Sequence, residues 1–487
     1  MRLKIRGRWL LGLMLGMGLW GPVTVHAATN LVRWPAVQSL APRNCELESK
    51  QTRLYQLNRA TMQLTPRGTA RTTSHWQRVG QVMVTQNKRL VTYWQVRHGT
   101  AGRLSWALAD TVRVVGTRVT DVKTPTRQPM RVVTTDQQEH GVTRAANKLS
   151  YLPLKGAGRY TTEHILFRPT AAYLATQGLQ NQPDTLRQSS GYRDHYHFKT
   201  ALYLPQQLGS RLLNDPQSAT FSADNRYLYV MYVMYVNDQQ LGGADQTGWV
   251  VRYDWQRLMA LGAGQSGKMA MVRVAAAHQF DGKMTAFDRR VLAAIEVGPE
   301  FTAGHVQSLA LNPKTNELWF ISSTARDQLA SVARLNPQSL TPDLKIAFTT
   351  GSGRLGDELT FDRAGQAYYW THASQLRNGN VTLYRGTISS TTGVHFEQLA
   401  QGLANNPGFF AQSIGYNEVT GRLYLVSDES ITSLPAAKLG HLTTSQVGEA
   451  NFAGDREFEG LVFMHHSQEG FLLTNRGIEL MRIIVDK

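Results

Sequence analysis

The sequence predicts an all-β protein in which a small barrel precedes a β-propeller. A unit of strand, tight turn and second strand occurs five times in the second half of the chain, starting at Gln217, Gln307, Asp357, Gln412 and Glu459. Three of the four steps between these starts are 47 to 55 residues long, and repetition at this period is typical of propeller blades. Before these units, residues 50–120 carry short aromatic strands separated by turns, which is the pattern of a small barrel.

The first 27 residues have the pattern of a secretory signal peptide. Four basic residues precede an apolar run at 9–20, and Val25 and Ala27 are small residues at the positions that signal peptidase recognises. The run is about 12 residues long, whereas a membrane-spanning helix needs roughly 20. We therefore expect cleavage after Ala27, no stable membrane span, and a mature protein that is extracellular or associated with the cell wall.

Charge is distributed unevenly along the chain, whose formal net charge is +17. Residues 28–199 hold 25 basic and 9 acidic side chains, whereas residues 200–487 hold 23 basic and 26 acidic ones. A basic half favours a polyanionic partner, for which an anionic wall polymer such as teichoic acid is available outside the cell. The alternative is a generic solvated basic surface. Nucleic acid is not expected, because no zinc-finger, helix-turn-helix or aromatic RNA-binding signature occurs.

Cys45 is the only cysteine, so the chain has no internal disulfide and depends on its core for stability. It lies 25 residues beyond the apolar run, which is too far for a lipoprotein signal. We interpret it as a free thiol, and pairing between two chains is left open.

Residues 28–49 lack periodicity and are expected to be a loose lead-in to the barrel. The barrel itself, at 50–120, shows an order of aromatic and small residues that resembles bacterial src-homology-3-like wall-binding modules of lactic-acid bacteria: Tyr55, Leu57, Trp76, Gly80, Tyr93, Trp94, Val96, Trp106, Ala109 and Asp110. The segment 98–104 departs from that pattern, because it lengthens the loop before Trp106. The resemblance implies a wall-binding face formed by Trp76, Tyr93, Trp94 and Trp106. The alternative is that the tryptophans fill the barrel core.

Residues 121–194 are interrupted by prolines and are expected to connect the barrel to a propeller spanning 195–487. The last repeat unit leaves room for only three strands before Lys487. Since a propeller closes by completing one blade with strands from both ends of the domain, the alternating run at 195–204 is predicted to be the fourth strand.

The number of blades depends on the long step of 90 residues between the first two units. A third strand is predicted at 249–254, 330–336 and 381–386 in the first three blades, and an outer strand of the first blade at 291–297. Residues 258–288 are then an insertion, for which a helix is one interpretation, and the propeller has five blades. If the insertion forms its own sheet, the number is six.

The stretch from about 195 to the C terminus also resembles a family of secreted propeller proteins of lactic-acid bacteria that are described only as extracellular proteins. The motifs that carry this resemblance lie at 304–308, 312–314, 318–320, 359–362, 423–428 and 456–461. Membership of that family implies no established activity.

Propeller ligands usually bind at one end of the central channel, near the first residues of the inner strands. Carboxylates and amides there can bind calcium or sugar hydroxyls. The Glu459-Gly460 pair also resembles calcium-dependent propeller hydrolases, although most of the unit starts are neutral amides. The alternative is that these side chains bond neighbouring backbone. The predicted ligand-binding residues are Gln217, His305, Gln307, Asp357, Glu358, Gln412, Glu457 and Glu459.

Other chemistry-bearing patterns are weak. His195 and His197 share one face of a strand, about 7 Å apart, but no further His or Cys lies at a zinc-site spacing. His465 and His466 are expected in a solvated turn. The nucleophile-elbow, metalloprotease and phosphate-loop motifs do not occur. We therefore assign no catalytic residue, no metal ligand and no cofactor, with calcium left open.

The sequence favours a secreted cell-surface binding protein. The basic N-terminal module would hold anionic wall polymer, and the propeller would present a surface to a glycan or protein partner. The first alternative is a propeller hydrolase or lyase that uses acids in the channel, with or without calcium. The second is a structural envelope protein without a soluble ligand.

Overall fold

The structure is a computed structural model of the chain. It describes residues 31–32, 38–58, 63–86, 89–99, 102–114, 131–133, 149–156, 184–209, 211–213, 215–233, 247–304, 306–323, 329–349, 356, 358–372, 379–452, 456–475 and 478–486. The predicted signal peptide, His305 and Asp357 therefore lie outside the described residues. Within these ranges no helix is long and apolar enough to cross a membrane.

Eight strands near the N terminus form one sheet, paired in the order β1-β4-β3-β7-β6-β5-β2-β8. Because β1 pairs with both β4 and β5, six of the strands close into a ring. Residues 28–49 were expected to be a loose lead-in, which is wrong, because they supply β1 and β2. The bounds are β1 Leu31–Val32, β2 Gln38–Leu47, β3 Arg53–Asn58, β4 Gln63–Thr69, β5 Trp76–Gln86, β6 Arg89–His98, β7 Ser105–Leu108 and β8 Val112–Val114, with a 3₁₀ turn at Ala109–Thr111.

Five further sheets form a five-bladed β-propeller, which confirms the predicted fold class. In each blade the innermost strand pairs antiparallel with the second, and so on outward. Blade 1 holds β16 Pro216–Phe221, β17 Tyr227–Val233, β18 Thr247–Asp254, β19 Ile295–Val297 and β20 Phe301–Thr302. Blade 2 holds β21 Ala310–Asn312, β22 Glu317–Ser323, β23 Leu329–Asn336 and β24 Thr341–Thr349. Blade 3 holds β25 Glu358–Phe361, β26 Ala367–His372, β27 Val381–Ser389, β28 Gly393–Gln398 and β29 Gln401–Leu403.

Blade 4 holds β30 Phe409–Asn417, β31 Arg422–Asp428, β32 Ser430–Pro435 and β33 Gly448–Phe452, with 3₁₀ turns at Ala436–Lys438 and Thr444–Gln446. Blade 5 holds β34 Phe458–Phe463, β35 Gly470–Thr474, β36 Glu479–Val485 and, from the other end of the domain, β13 Tyr196–Tyr203. β13 pairs antiparallel with β36, which confirms the predicted closing strand.

The 90-residue step contains helices rather than a sixth sheet. They are α1 Trp255–Ala260, α2 Met271–Phe280 and α3 Ala286–Leu292. The side chains of Thr285 and Asp288 form a capping box that starts α3. The outer strand expected at 291–297 therefore begins only at Ile295, because Val291 and Leu292 complete the helix.

The connecting region adds edge strands to four blades. β9 Arg131–Val133 pairs parallel with β24 of blade 2, and β10 Ser150–Leu152 pairs parallel with β29 of blade 3. β11 Thr185–Leu186 borders β13 in blade 5, and β12 Gln188–Tyr192 borders β33 in blade 4. A short hairpin, β14 Gln207–Leu208 with β15 Arg211–Leu212, leads into blade 1.

The propeller core consists of apolar clusters between neighbouring blades. In β17, Leu228 and Val230 pack towards blade 5, whereas Tyr229 and Met231 pack towards blade 2. Three further clusters join blades 2 and 3, 3 and 4, and 4 and 5. Because a second strand is covered on both faces, it reads as a continuous apolar run rather than as an alternating one.

Candidate functional site

The inner strands of the five blades start at the same end of the channel, here called the entrance. Gln307 precedes β21 in blade 2, and its Nε2 donates to Oε1 of Gln412 in blade 4 at 2.6 Å. Gln412 Nε2 in turn donates to Asp428 Oδ1 at 3.0 Å. Blades 2 and 4 are not neighbours, so this chain of hydrogen bonds crosses the channel and shows how narrow it is here.

A second set of polar contacts joins blade 5 to blade 1. Asp215 lies directly before β16, and its Oδ1 accepts from Gln217 Nε2 at 3.1 Å and from Asn475 Nδ2 at 2.7 Å. Asn475 follows β35, and its backbone N–H donates to the carbonyl of Glu457. Asp215 therefore holds amides from two adjacent blades at the entrance.

Glu459, on β34, is 2% exposed, and three other acids lie near its carboxyl. Burial raises the pKa of its carboxyl well above its usual range, and the charges of Glu457, Asp215 and Asp428 raise it further. A hydrogen bond with Asn475 opposes this only in part. The folded chain therefore favours the protonated form of Glu459 more than the unfolded chain does, and in that form the carboxyl can donate as well as accept a hydrogen bond.

Several buried polar atoms at the entrance have no hydrogen-bond partner among the described residues: Gln217 Oε1, Ser218 Oγ and Ser413 Oγ. These three side chains belong to residues that are at most 4% exposed. A Cβ added to Gly460 would meet nothing closer than 3.8 Å, with Ser218 and Ser413 among its nearest neighbours. Because buried polar atoms are normally satisfied, these atoms indicate water or a ligand at the entrance.

The structure brings together most of the predicted entrance residues. Gln217, Gln307, Gln412, Glu457 and Glu459 all belong to the two sets of contacts described above or act on the Glu459 carboxyl. Glu358 begins β25, as predicted, and its side chain is buried. His305 and Asp357 were also predicted here, but both lie outside the described residues.

Sequence reasoning missed Asp215, Asp428 and Asn475. Asp428 ends β31 and Asn475 follows β35, so both stand where the second strand of a blade returns to the entrance. A comparison of second-strand ends between repeat units would have found Asp428 and Asn475.

Three of the four aromatic residues predicted to bind wall polymer are core residues of the barrel. Trp76, Tyr93 and Trp106 are at most 6% exposed. The prediction that all four aromatic residues form an exposed ligand face is therefore wrong. Trp76 Nε1 donates to the Thr72 carbonyl at 2.9 Å, and burial raises the pKa of Tyr93 to about 12. These large apolar side chains fill the interior of the small barrel. Trp94 is half-buried, with the Arg78 guanidinium 5.0 Å from its ring.

In each of the two histidine pairs, at least one ring contacts a carboxylate. His197 Nδ1 contacts Asp486 Oδ1 at 2.7 Å. His465, expected in a solvated turn, is instead only 12% exposed at its side chain, because Glu418 bonds its ring. In the part of the chain that the structure describes, no three His, Cys, Asp or Glu residues lie close enough together to hold a metal ion.

No protein-family model and no curated protein matches this chain. Solved structures that are similar to it include a gluconolactonase from Xanthomonas campestris, at 10% identity over 62% of this chain and 98% of that one, with a TM-score of 0.28. Glutaminyl cyclase from Myxococcus xanthus matches at 11% identity over 61% and 98%, with a TM-score of 0.33. A β-1,3-galactosidase matches at 10% identity over 61% and 88%, with a TM-score of 0.28. At these values the similarities carry no argument about activity.

Proposed function

We propose that this chain is a secreted binding protein whose propeller entrance takes a small hydroxyl-rich ligand such as a sugar or polyol. The observation that carries the proposal is the set of buried, unsatisfied polar atoms at Gln217, Ser218 and Ser413 beside the buried carboxyl of Glu459. Together they offer acceptors and donors within one narrow opening. Sugar hydroxyls need both, because each hydroxyl donates one hydrogen bond and accepts others.

The test is calorimetric titration of the mature chain with a panel of monosaccharides, short oligosaccharides and polyols. In Glu459→Leu the carboxyl is replaced by an apolar group of similar size, so a ligand hydroxyl loses its partner there. We expect affinity to fall about tenfold or more. The matched control is Glu397→Leu, because Glu397 forms an exposed pair with Arg385 on the outer part of blade 3. The proposal fails if no panel member binds or if Glu459→Leu binds as the unchanged protein does.

The basic N-terminal half is proposed to hold anionic wall polymer by charge, with teichoic acid as the partner. The excess of basic side chains before residue 200 supports this. Two exposed arginines of the barrel, Arg71 and Arg103, provide the test. Reversing both to Glu should weaken binding of the mature chain to purified walls and reduce its salt dependence. The same reversal at Lys314 and Arg363, which are exposed on the propeller, should have little effect.

A second candidate function is hydrolysis or elimination at the entrance. The observation that favours it is the buried Glu459 carboxyl, whose pKa is raised by burial and by the neighbouring Glu457, Asp215 and Asp428, because a carboxyl with a raised pKa can serve as a general acid in enzymes. Carboxylate and amide oxygens are also the ligands that calcium prefers. Any ligand that binds would therefore be followed for turnover with added calcium and with chelator. Conversion that is lost in Glu459→Gln would favour the enzyme over the binding protein.

A further inference from the structure

The channel has a second polar cavity at its other end, where the inner strands finish. It measures about 50 Å³, and its lining includes Thr220, Thr360, Tyr416, Glu418 and His465. That volume holds roughly three to five water molecules, which is the size of a small polyol. The entrance residues start the same strands whose later residues line this cavity, so the two sites lie at opposite ends of the channel.

His465 is held at this cavity with only one of its ring nitrogens engaged. Its Nδ1 lies 2.7 Å from Glu418 Oε1, and the two side chains are 12% and 8% exposed. Its Nε2 is buried and has no hydrogen-bond partner among the described residues. With Nδ1 engaged by the carboxylate, Nε2 is the ring nitrogen that is left to hydrogen-bond a ligand.

The turn that carries His465 is fixed from both neighbouring blades. Asn225 of blade 1 accepts from the His465 backbone N–H at 2.8 Å and donates to its carbonyl at 3.0 Å. Glu418 of blade 4 also accepts from the His466 backbone N–H at 3.1 Å. These contacts fix the turn, but none of them engages Nε2.

The charge at the cavity disfavours an anionic ligand. Burial alone would raise the pKa of Glu418, but hydrogen bonds from His465 and His466 hold it below its usual value, so the group is a carboxylate. Each of its oxygens accepts a hydrogen bond from this turn. A negative ligand would be repelled by it.

We propose that this cavity is a binding site for a small neutral polyol, in which His465 Nε2 accepts a hydrogen bond from a ligand hydroxyl. Thr220 and Thr360 line the cavity and supply hydroxyls for further hydrogen bonds. The site is separate from the entrance and does not rest on the function proposed for it.

The experiment follows the histidine ring nitrogens of the mature chain by ¹⁵N NMR during titration with glycerol. We expect a saturable shift of the His465 Nε2 resonance, and no shift with a fully methylated glycerol that has no hydroxyl to donate. Ligand-observed saturation transfer should fall at least tenfold in His465→Asn, whose amide nitrogen can replace Nδ1 towards Glu418 but offers nothing at Nε2. His466→Asn is the matched control, because His466 is 66% exposed and bonds the same carboxylate.

If His465→Asn does not fold, Thr360→Val tests the same cavity, because valine has the shape of threonine without its hydroxyl. The proposal is overturned if glycerol leaves the Nε2 resonance unchanged, or if binding persists at full strength in both His465→Asn and Thr360→Val. Glu459→Gln should retain the His465 response. Loss of that response in Glu459→Gln would place the polyol at the entrance and also overturn the proposal.

Discussion

Glu459 combines burial with ionisable neighbours, and this combination is costly for stability. Other carboxylates lie near it at the entrance, so the folded chain favours the protonated form of the acid. A buried polar group that strains the fold is expected where function requires it, because the rest of the protein can offset the cost.

At this residue we predict that Glu459→Gln is stabilising at alkaline pH. A raised pKa means that the folded state binds the proton more tightly, so stability is greatest below the usual value of 4.5 and is lost as pH rises through the folded pKa. The amide removes this loss, and we expect a gain in stability at pH 8 and little change at pH 4. Urea unfolding at both pH values measures it. A variant that is less stable at pH 8 would show that Glu459 has a structural role instead.

The hairpin between the first and second strands of a blade is the repeated element of this fold. In four blades a residue one or two positions before the second strand has a left-handed backbone: Asn225, Asn316, Gly365 and Gly421 have φ between 56° and 82°. Only glycine and asparagine adopt this conformation readily, so the turn chemistry matches the repeat seen in the sequence.

For this element we predict that Gly421→Ala destabilises the protein by about 1 kcal/mol. A Cβ there meets no atom within 4 Å, so the cost comes from the backbone alone. Gly421→Asn should cost less, because asparagine occupies the same position in blades 1 and 2. Urea midpoints of the two variants test the order. Equal urea midpoints would indicate that the left-handed backbone at residue 421 does not determine which residue types are tolerated there.

At the scale of the whole molecule, blade 5 closes the propeller, because it joins strands from both ends of the domain. Arg456 is 5% exposed at its side chain and bonds Glu479 on β36 at 2.5 Å and Asp184, just before β11, at 2.6 Å. Thr200 on the closing strand β13 donates to the other oxygen of Glu479 at 2.8 Å. One buried ionic network thus joins the two ends of the propeller.

We predict that Arg456→Ala costs about 3–5 kcal/mol, because it removes the cation that is bonded to the buried Glu479. Arg385→Ala removes one partner of an exposed ion pair and should cost less than about 1 kcal/mol. Thermal and urea unfolding of the two variants provide the comparison. Similar small losses would mean that strand pairing, rather than this network, closes the ring.

The edge strands β9 to β12 could not be read from sequence, because each is at most five residues long and two of them pair parallel to a distant blade. The same holds for Asp215, Asp428 and Asn475, which stand at strand ends without a motif of their own. For Trp76 and Trp106, the sequence showed the residues but not whether they are buried. An aromatic residue in a strand looks the same in sequence whether it fills a barrel or faces a ligand.

The sequence by itself determined the propeller, the turn chemistry of its hairpins and the position of the closing strand, because repetition and alternation are local properties of a chain. It also determined most of the entrance residues, since they start the repeated strands. Only the tertiary structure decided the number of blades, the helical insertion, the edge strands and the pairing of Glu418 with His465. Those features depend on which distant segments meet, and contact between distant segments leaves no periodic trace in the sequence.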